Sequence, residues 1–175
     1  MFRLIILSVP FLILLFLSCN NQTNSTELKH FSVSDLNSIV AKSGIKIDKN
    51  VSNDGNGSLR IETTEPVSVP LYNIDDLRIE NAQLTYEAKV KSENLAGQAY
   101  LEMWCVFKDK GEFFSRGFDS AISGTNDWKT IKTVFLLRKN EMPDKIKLNV
   151  IINGIGKIWI DDIRLLKKDE FNLQS

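Results

Sequence analysis

The side chains best suited to chemistry lie along one segment, from Tyr100 to Phe118. It carries Tyr100, Glu102, Trp104, Phe114, Arg116 and Phe118 on either side of Asp109-Lys110-Gly111. Three-residue hairpin loops favour glycine in the left-handed position, so this spacing predicts a hairpin that turns at Gly111. A register pairing Lys108 with Glu112 sets Cys105 opposite Ser115 and Phe107 opposite Phe113 on the core face. On the other face it sets Trp104 opposite Arg116, Val106 opposite Phe114 and Glu102 opposite Phe118. A flat ring for the C–H face of a sugar, beside charged groups for its hydroxyls, is what glycan recognition requires. In this register Arg116 would lie over Trp104 as a cation–π pair. The competing reading is plain packing, with the segment from Pro66 to Asp76 laid over the face. A one-residue slip would send every one of these side chains to the opposite face.

The other candidates are sparser. Trp128 follows Gly124-Thr125-Asn126-Asp127 and reads best as a ring closing a sheet edge. Trp159 lies between Ile158 and Ile160, so it points away from their core and offers a second stacking platform. Asp161 and Asp162, with Asp54, are carboxylates that would suit a structural calcium, an ion that takes about six to eight oxygens. Their alternative is solvation, or an acid bonded to turn amides. Catalysis finds little support. His30 is the sole histidine and lies beside a polar tether, away from any nucleophile. Cys105 sits among Met103, Val106 and Phe107 and reads as an inert buried thiol. Glu102 and Glu112 have no fixed separation that would make them a glycosidase pair. No phosphate loop, dinucleotide fingerprint or zinc spacing occurs.

Short strands must position these residues. Ile45 and Ile47 alternate, Asn53 to Gly57 is a turn, and Leu59 and Ile61 alternate after it. Leu84, Tyr86, Ala88 and Val90 face one way, with Thr85, Glu87, Lys89 and Lys91 facing the other. Leu101 to Phe107, Ile131 to Leu137, Leu148 to Ile152 and Ile158 to Ile160 repeat this alternation. The apolar parity switches across Asp161-Asp162, where a bulge would keep Ile158, Ile160, Ile163 and Leu165 on one side. Ser34, Leu36, Ile39 and Val40, closed by Gly44, predict a short helix over 33–43. The pattern is all-β and argues for a β-sandwich. Lys+Arg and Asp+Glu each total 22, so the net charge is zero, and no basic stripe suggests nucleic acid.

The N-terminus carries its own signal. Arg3 precedes an apolar run from Leu4 to Leu17, shorter than the roughly twenty residues of a membrane span. Phe16-Leu17-Ser18-Cys19 resembles the bacterial lipobox, with phenylalanine where leucine is usual. The resemblance implies that residues 1–18 are a signal peptide, that Cys19 is acylated, and that the lipid ties the chain to a membrane. Residues 19–29 then form a polar tether, 30–168 the domain and 169–175 a tail. With Cys19 acylated, Cys105 has no disulfide partner in the chain. The expected location is the cell envelope, at the outer membrane or cell surface.

Three segments also resemble, in their order, the carbohydrate-binding-module-like domains of the galactose-binding fold. They are Asp54-Gly55-Asn56-Gly57-Ser58-Leu59-Arg60-Ile61, Gly124-Thr125-Asn126-Asp127-Trp128, and Gly154 to Ile163. The resemblance covers roughly residues 45–166. It implies a jelly roll of about eight or nine strands, glycan as ligand in many members, and a structural calcium near the strand ends. The expectation is a non-catalytic, lipid-anchored glycan-binding protein, with Tyr100, Glu102, Trp104, Arg116, Phe118 and Trp159 as ligand contacts. The alternative is a structural lipoprotein that docks another envelope protein, for which Val134, Leu136 and Ile151 supply off-face apolar surface.

Overall fold

A computed structural model describes residues 25–169. The expected signal peptide, Cys19 and the first part of the tether lie outside the described residues. So does the tail after Asp169.

The elements in chain order are β1 (Thr26–Phe31), β2 (Ile45–Asp48), β3 (Ser58–Thr63), β4 (Val67–Asp75), β5 (Ala82–Phe107), β6 (Gly111–Arg116), a 3₁₀ turn (Phe118–Ser120), β7 (Ile122–Leu137) and β8 (Lys145–Asp169). All pairings are antiparallel. Two strands organise the rest. β5 runs for 26 residues and β8 for 25, far beyond the usual strand of about five or six. They pair along their whole length, from Ala82 opposite Asp169 to Val106 opposite Lys145, and both bend midway. One layer holds β2, β3, the C-terminal half of β8, the N-terminal half of β5 and most of β7, with β1 added to β8 beyond β3. The other layer holds β4, the N-terminal half of β8, the C-terminal half of β5, and β6. This is the expected all-β sandwich.

The crossing between layers depends on glycine. A Cβ on Gly97 would stand 2.2 Å from the carbonyl oxygen of Asn153, and one on Gly154 would stand 2.0 Å from that of Ala96. Those distances leave no room for a side chain, so only glycine lets the two backbones touch where they turn.

Between the layers, the inward parity positions read from the sequence are buried. Leu84, Val90, Leu101, Met103, Cys105, Leu148, Val150 and Ile152 have no solvent exposure. The parity switch in β8 is met by a bulge. Glu87 faces Arg164 while Lys89 faces Asp161, so β8 carries one extra residue there. Asp162 takes the left-handed conformation at φ 48°, and Ile158, Ile160, Ile163 and Leu165 all remain at zero exposure.

Two expectations near the N-terminus are corrected. The helix over 33–43 does not form; the segment is a series of bends. Its amides bond elsewhere: Val40 N–H donates to Leu71 O and Ala41 N–H to Pro70 O, each at 2.9 Å. Leu71 and Pro70 lie in β4, so tertiary partners replace the helical ladder that a run this short sustains poorly. Residues 26–29, read as tether, are strand: Thr26 faces Lys167 and Phe31 faces Ile163.

Candidate functional site

The outer face of the second layer carries the hairpin residues. Phe107 faces Gly111, Trp104 faces Phe114 and Glu102 faces Arg116. The loop is Lys108-Asp109-Lys110, and Gly111 directly after it lies in the left-handed region at φ 92°. The expected register is therefore corrected by two residues. A two-residue shift preserves side-chain parity, so Tyr100, Glu102, Trp104, Phe114 and Arg116 still share one face.

The centre of that face is a fixed hydrogen-bond network. Glu102 is 4% exposed. Its Oε1 accepts from Trp104 Nε1 at 2.7 Å and from Asn149 Nδ2 at 3.2 Å. Its Oε2 accepts from Arg116 Nε at 2.7 Å. Burial pushes the Glu102 carboxyl up; the bonds from Trp104, Arg116 and Asn149, with the Arg116 charge, outweigh that and hold it below the usual carboxylate range. A buried carboxylate with three donors is satisfied, and it holds the indole and the guanidinium in place.

Rings surround this network. Trp104 is half-buried, and its centroid lies 4.8 Å from that of Phe114, tilted by 44°. Phe114 is 48% exposed. Arg116 lies over Phe114, with Cζ 4.5 Å from the ring centre. The expected Arg116–Trp104 stack is corrected accordingly: the two-residue shift puts Phe114, not Arg116, across from Trp104. Phe118 lies past β6 in the 3₁₀ turn rather than opposite Glu102, and its ring meets Tyr100 at 4.7 Å. At that end a cleft of about 320 Å³ opens among Ser68, Tyr100, Ile151 and Asn153, near the lower bound of small-ligand pockets at roughly 300 Å³. At the other end Lys147 pairs with Glu112 at 2.9 Å and Lys145 with Asp75 at 3.3 Å. The segment from Pro66 to Asp76 does not cover the face. It supplies β4, which extends the same sheet beside β8.

Trp159 is not part of this face. It belongs to the other layer, between Arg60 and Lys91, and is 5% exposed. Its Nε1 donates to Asp48 Oδ2 at 2.9 Å, a bond that is the chief cause of the lowered Asp48 pKa. Its expected role as a stacking platform is corrected: parity gave its direction, but the ring is buried, with Lys157 over it and Asp48 at its N–H.

The three acids do not fit a calcium ion. Asp161 is buried, and its Oδ2 accepts from Asn53 N at 2.8 Å, with longer bonds from Asp54 N and Ser52 Oγ. Its Oδ1 accepts from Asp162 N. Asp54 is tied to Ser52 and Asn56. Asp162 faces Arg164 and His30, at 2.8 and 2.9 Å. A cation needs converging oxygens; these carboxylates meet N–H, O–H and cationic donors. Asp161 instead fastens the Ser52–Asn56 turn onto β8. His30 lies in β1 opposite Arg164, remote in register from the hairpin. Burial pushes the Cys105 thiol up to about 12.

No family model and no curated protein matches this chain. Solved structures do. The CBM22-1 xylan-binding domain of Paenibacillus barcinonensis Xyn10C superposes with a TM-score of 0.59 at 14% identity, covering 84% of this chain and 97% of that one. A xylan-binding domain from CBM 22 gives 0.60 at 8% identity, covering 83% and 97%. The C-terminal family 22 carbohydrate-binding module of Clostridium thermocellum Xyn10B gives 0.57 at 8% identity, covering 79% and 91%.

The chain shares the fold of these domains. The jelly roll expected from the Gly-turn, Gly-Thr-x-x-Trp and Asp-pair segments is the one observed. Identities this low speak for architecture, and function rests on the face itself.

Proposed function

We propose that this protein binds a glycan on the outer face of the β4–β8–β5–β6 layer, without catalysing a reaction on it. One observation carries the reading. The Trp104 indole is locked by its own N–H to a buried Glu102, which also holds Arg116, and the ring stays partly exposed beside an exposed Phe114. A ring immobilised before the ligand arrives loses little freedom on binding, which lowers the cost of association. Arg116, Asn149 and Lys147 border the rings and supply donors for sugar hydroxyls. The structural neighbours include domains described as xylan-binding, so a neutral β-linked polysaccharide of that kind is the first ligand to test. The lipobox-like segment ending at Cys19 supports placing the domain in the cell envelope, tied to a membrane by lipid.

The test is isothermal titration of the protein with xylohexaose, and with a panel of other neutral oligosaccharides, beside Trp104→Ala. Heat of binding that vanishes in the variant, with near-ultraviolet dichroism otherwise native, supports the reading. Binding unaffected by Trp104→Ala, or absent from every sugar tried, overturns it.

A further inference from the structure

Strand β6 is partnered on one side only: it pairs with β5 and with no other described strand. Gly117 N–H donates to Leu101 O at 2.9 Å, which fixes the ladder's parity. Met103 with Ser115 and Cys105 with Phe113 exchange bonds between β5 and β6. In antiparallel sheets the bonded positions alternate, so the N–H and C=O groups of Glu112, Phe114 and Arg116 point away from the sheet. Such a row is a template for another strand. β6 contains no proline, and its ladder with β5 has no register shift.

Apolar surface gathers at the same edge. Phe113, Phe114 and Leu136 are 49%, 48% and 57% exposed. Phe107, Phe113, Phe135 and Leu136 line a groove of about 390 Å³ beside β6. Free backbone groups and exposed rings together mark a surface that another chain would cover.

The charges select the partner. Glu112 and Arg116 lie symmetrically about Phe114 in Glu112-Phe113-Phe114-Ser115-Arg116. We infer that β6 is an interaction edge whose partner is β6 of a second copy of this chain, paired antiparallel about a two-fold axis at Phe114. Glu112 then faces Arg116 of the second copy, Phe114 faces Phe114, and Arg116 faces Glu112. All three pairs join residues whose backbone groups point outward, so hydrogen-bond parity and charge agree on one register. A parallel arrangement in register would set Glu112 beside Glu112 and Arg116 beside Arg116, which like charges oppose. Arg116 binds Glu102 through Nε alone, which leaves its terminal nitrogens without a described hydrogen-bond partner; the Glu112 that they would meet also holds Lys147. The contact is isologous, so it closes at two copies.

Sedimentation of the full chain in density-matched detergent tests this. The expected result is twice the mass of one chain, reverting to a single mass in Phe114→Pro. Proline there removes only an outward N–H and leaves the β5–β6 ladder intact. Glu112→Arg, which sets two cations face to face, is the second variant; it is expected to raise the dimer dissociation constant at least tenfold with unchanged near-ultraviolet dichroism. If Phe114→Pro loses its native dichroism, Glu112→Arg decides alone. A wild-type chain that remains single at about 100 μM, or a dimer that survives both substitutions, overturns the inference.

Discussion

Trp104 and Glu102 are two residues apart on one strand, and the indole N–H of the first donates to the carboxylate of the second at 2.7 Å. Residues so spaced are same-face neighbours in any strand. Here the bond converts that proximity into a fixed ring orientation, because Asn149 and Arg116 hold the same carboxylate from β8 and β6.

Removing the ring should therefore cost affinity without unfolding the protein. Trp104→Ala and Phe114→Ala are each expected to weaken glycan binding by roughly tenfold or more, about 1.4 kcal/mol, in titration calorimetry. The thermal midpoint should fall less for Phe114→Ala, whose ring is half exposed.

Glu102→Gln tests the network. It keeps the shape and removes the charge that Arg116 and the indole address. Loss of stability is expected at about 1–3 kcal/mol, read by denaturant unfolding at neutral pH. The pH dependence has a definite sign. The folded carboxyl titrates below its unfolded value, so its stabilisation is present above the unfolded pKa of roughly 4.3 and disappears as pH falls through the lower folded value. The gap between wild type and Glu102→Gln should narrow as pH drops below about 4.

Asp161→Ala leaves the amides of Asn53 and Asp54 without their acceptor. We expect a loss of about 1–3 kcal/mol. Added calcium should raise the thermal midpoint of neither wild type nor variant; a calcium-dependent rise in the wild type alone would establish an ion site at these acids.

Gly97→Ala should be severely damaging. Its Cβ would lie inside contact distance of the Asn153 carbonyl, at a φ of 112°. Loss of at least about 3 kcal/mol is expected, measured by chemical denaturation. Cys105, by contrast, should resist maleimide in the native protein and react fully once unfolded, since its thiol is buried and its pKa is about 12.

Parity was the most legible property of this sequence. It assigned Leu101, Met103 and Cys105 inward and Glu102 and Trp104 outward, and a two-residue error in the hairpin register left those assignments standing. The switch at Asp161-Asp162 was legible because four aliphatics on two parities demand an extra residue. Parity is silent about what covers an outward residue, which is why Trp159 read as open although it is buried beside Asp48 and Lys157. Local pattern also misjudged residues 33–43, where Val40 and Ala41 find carbonyls in β4. Nor could it reveal that β5 and β8 each serve two layers, because the bend between their halves depends on backbone contact between segments remote in sequence.

That sharing governs when the protein can fold during its synthesis. β8 is the last described strand, and β1, β3, β4 and β5 all pair with it. Ala82 waits for Asp169, and β1 waits for Ile163 to Lys167. A nascent chain that has reached only β7 has strands but no centre for either layer, and pairing this distant is slow because loop closure precedes any reward. Neither layer can therefore be completed until β8 has been synthesised, so both close late.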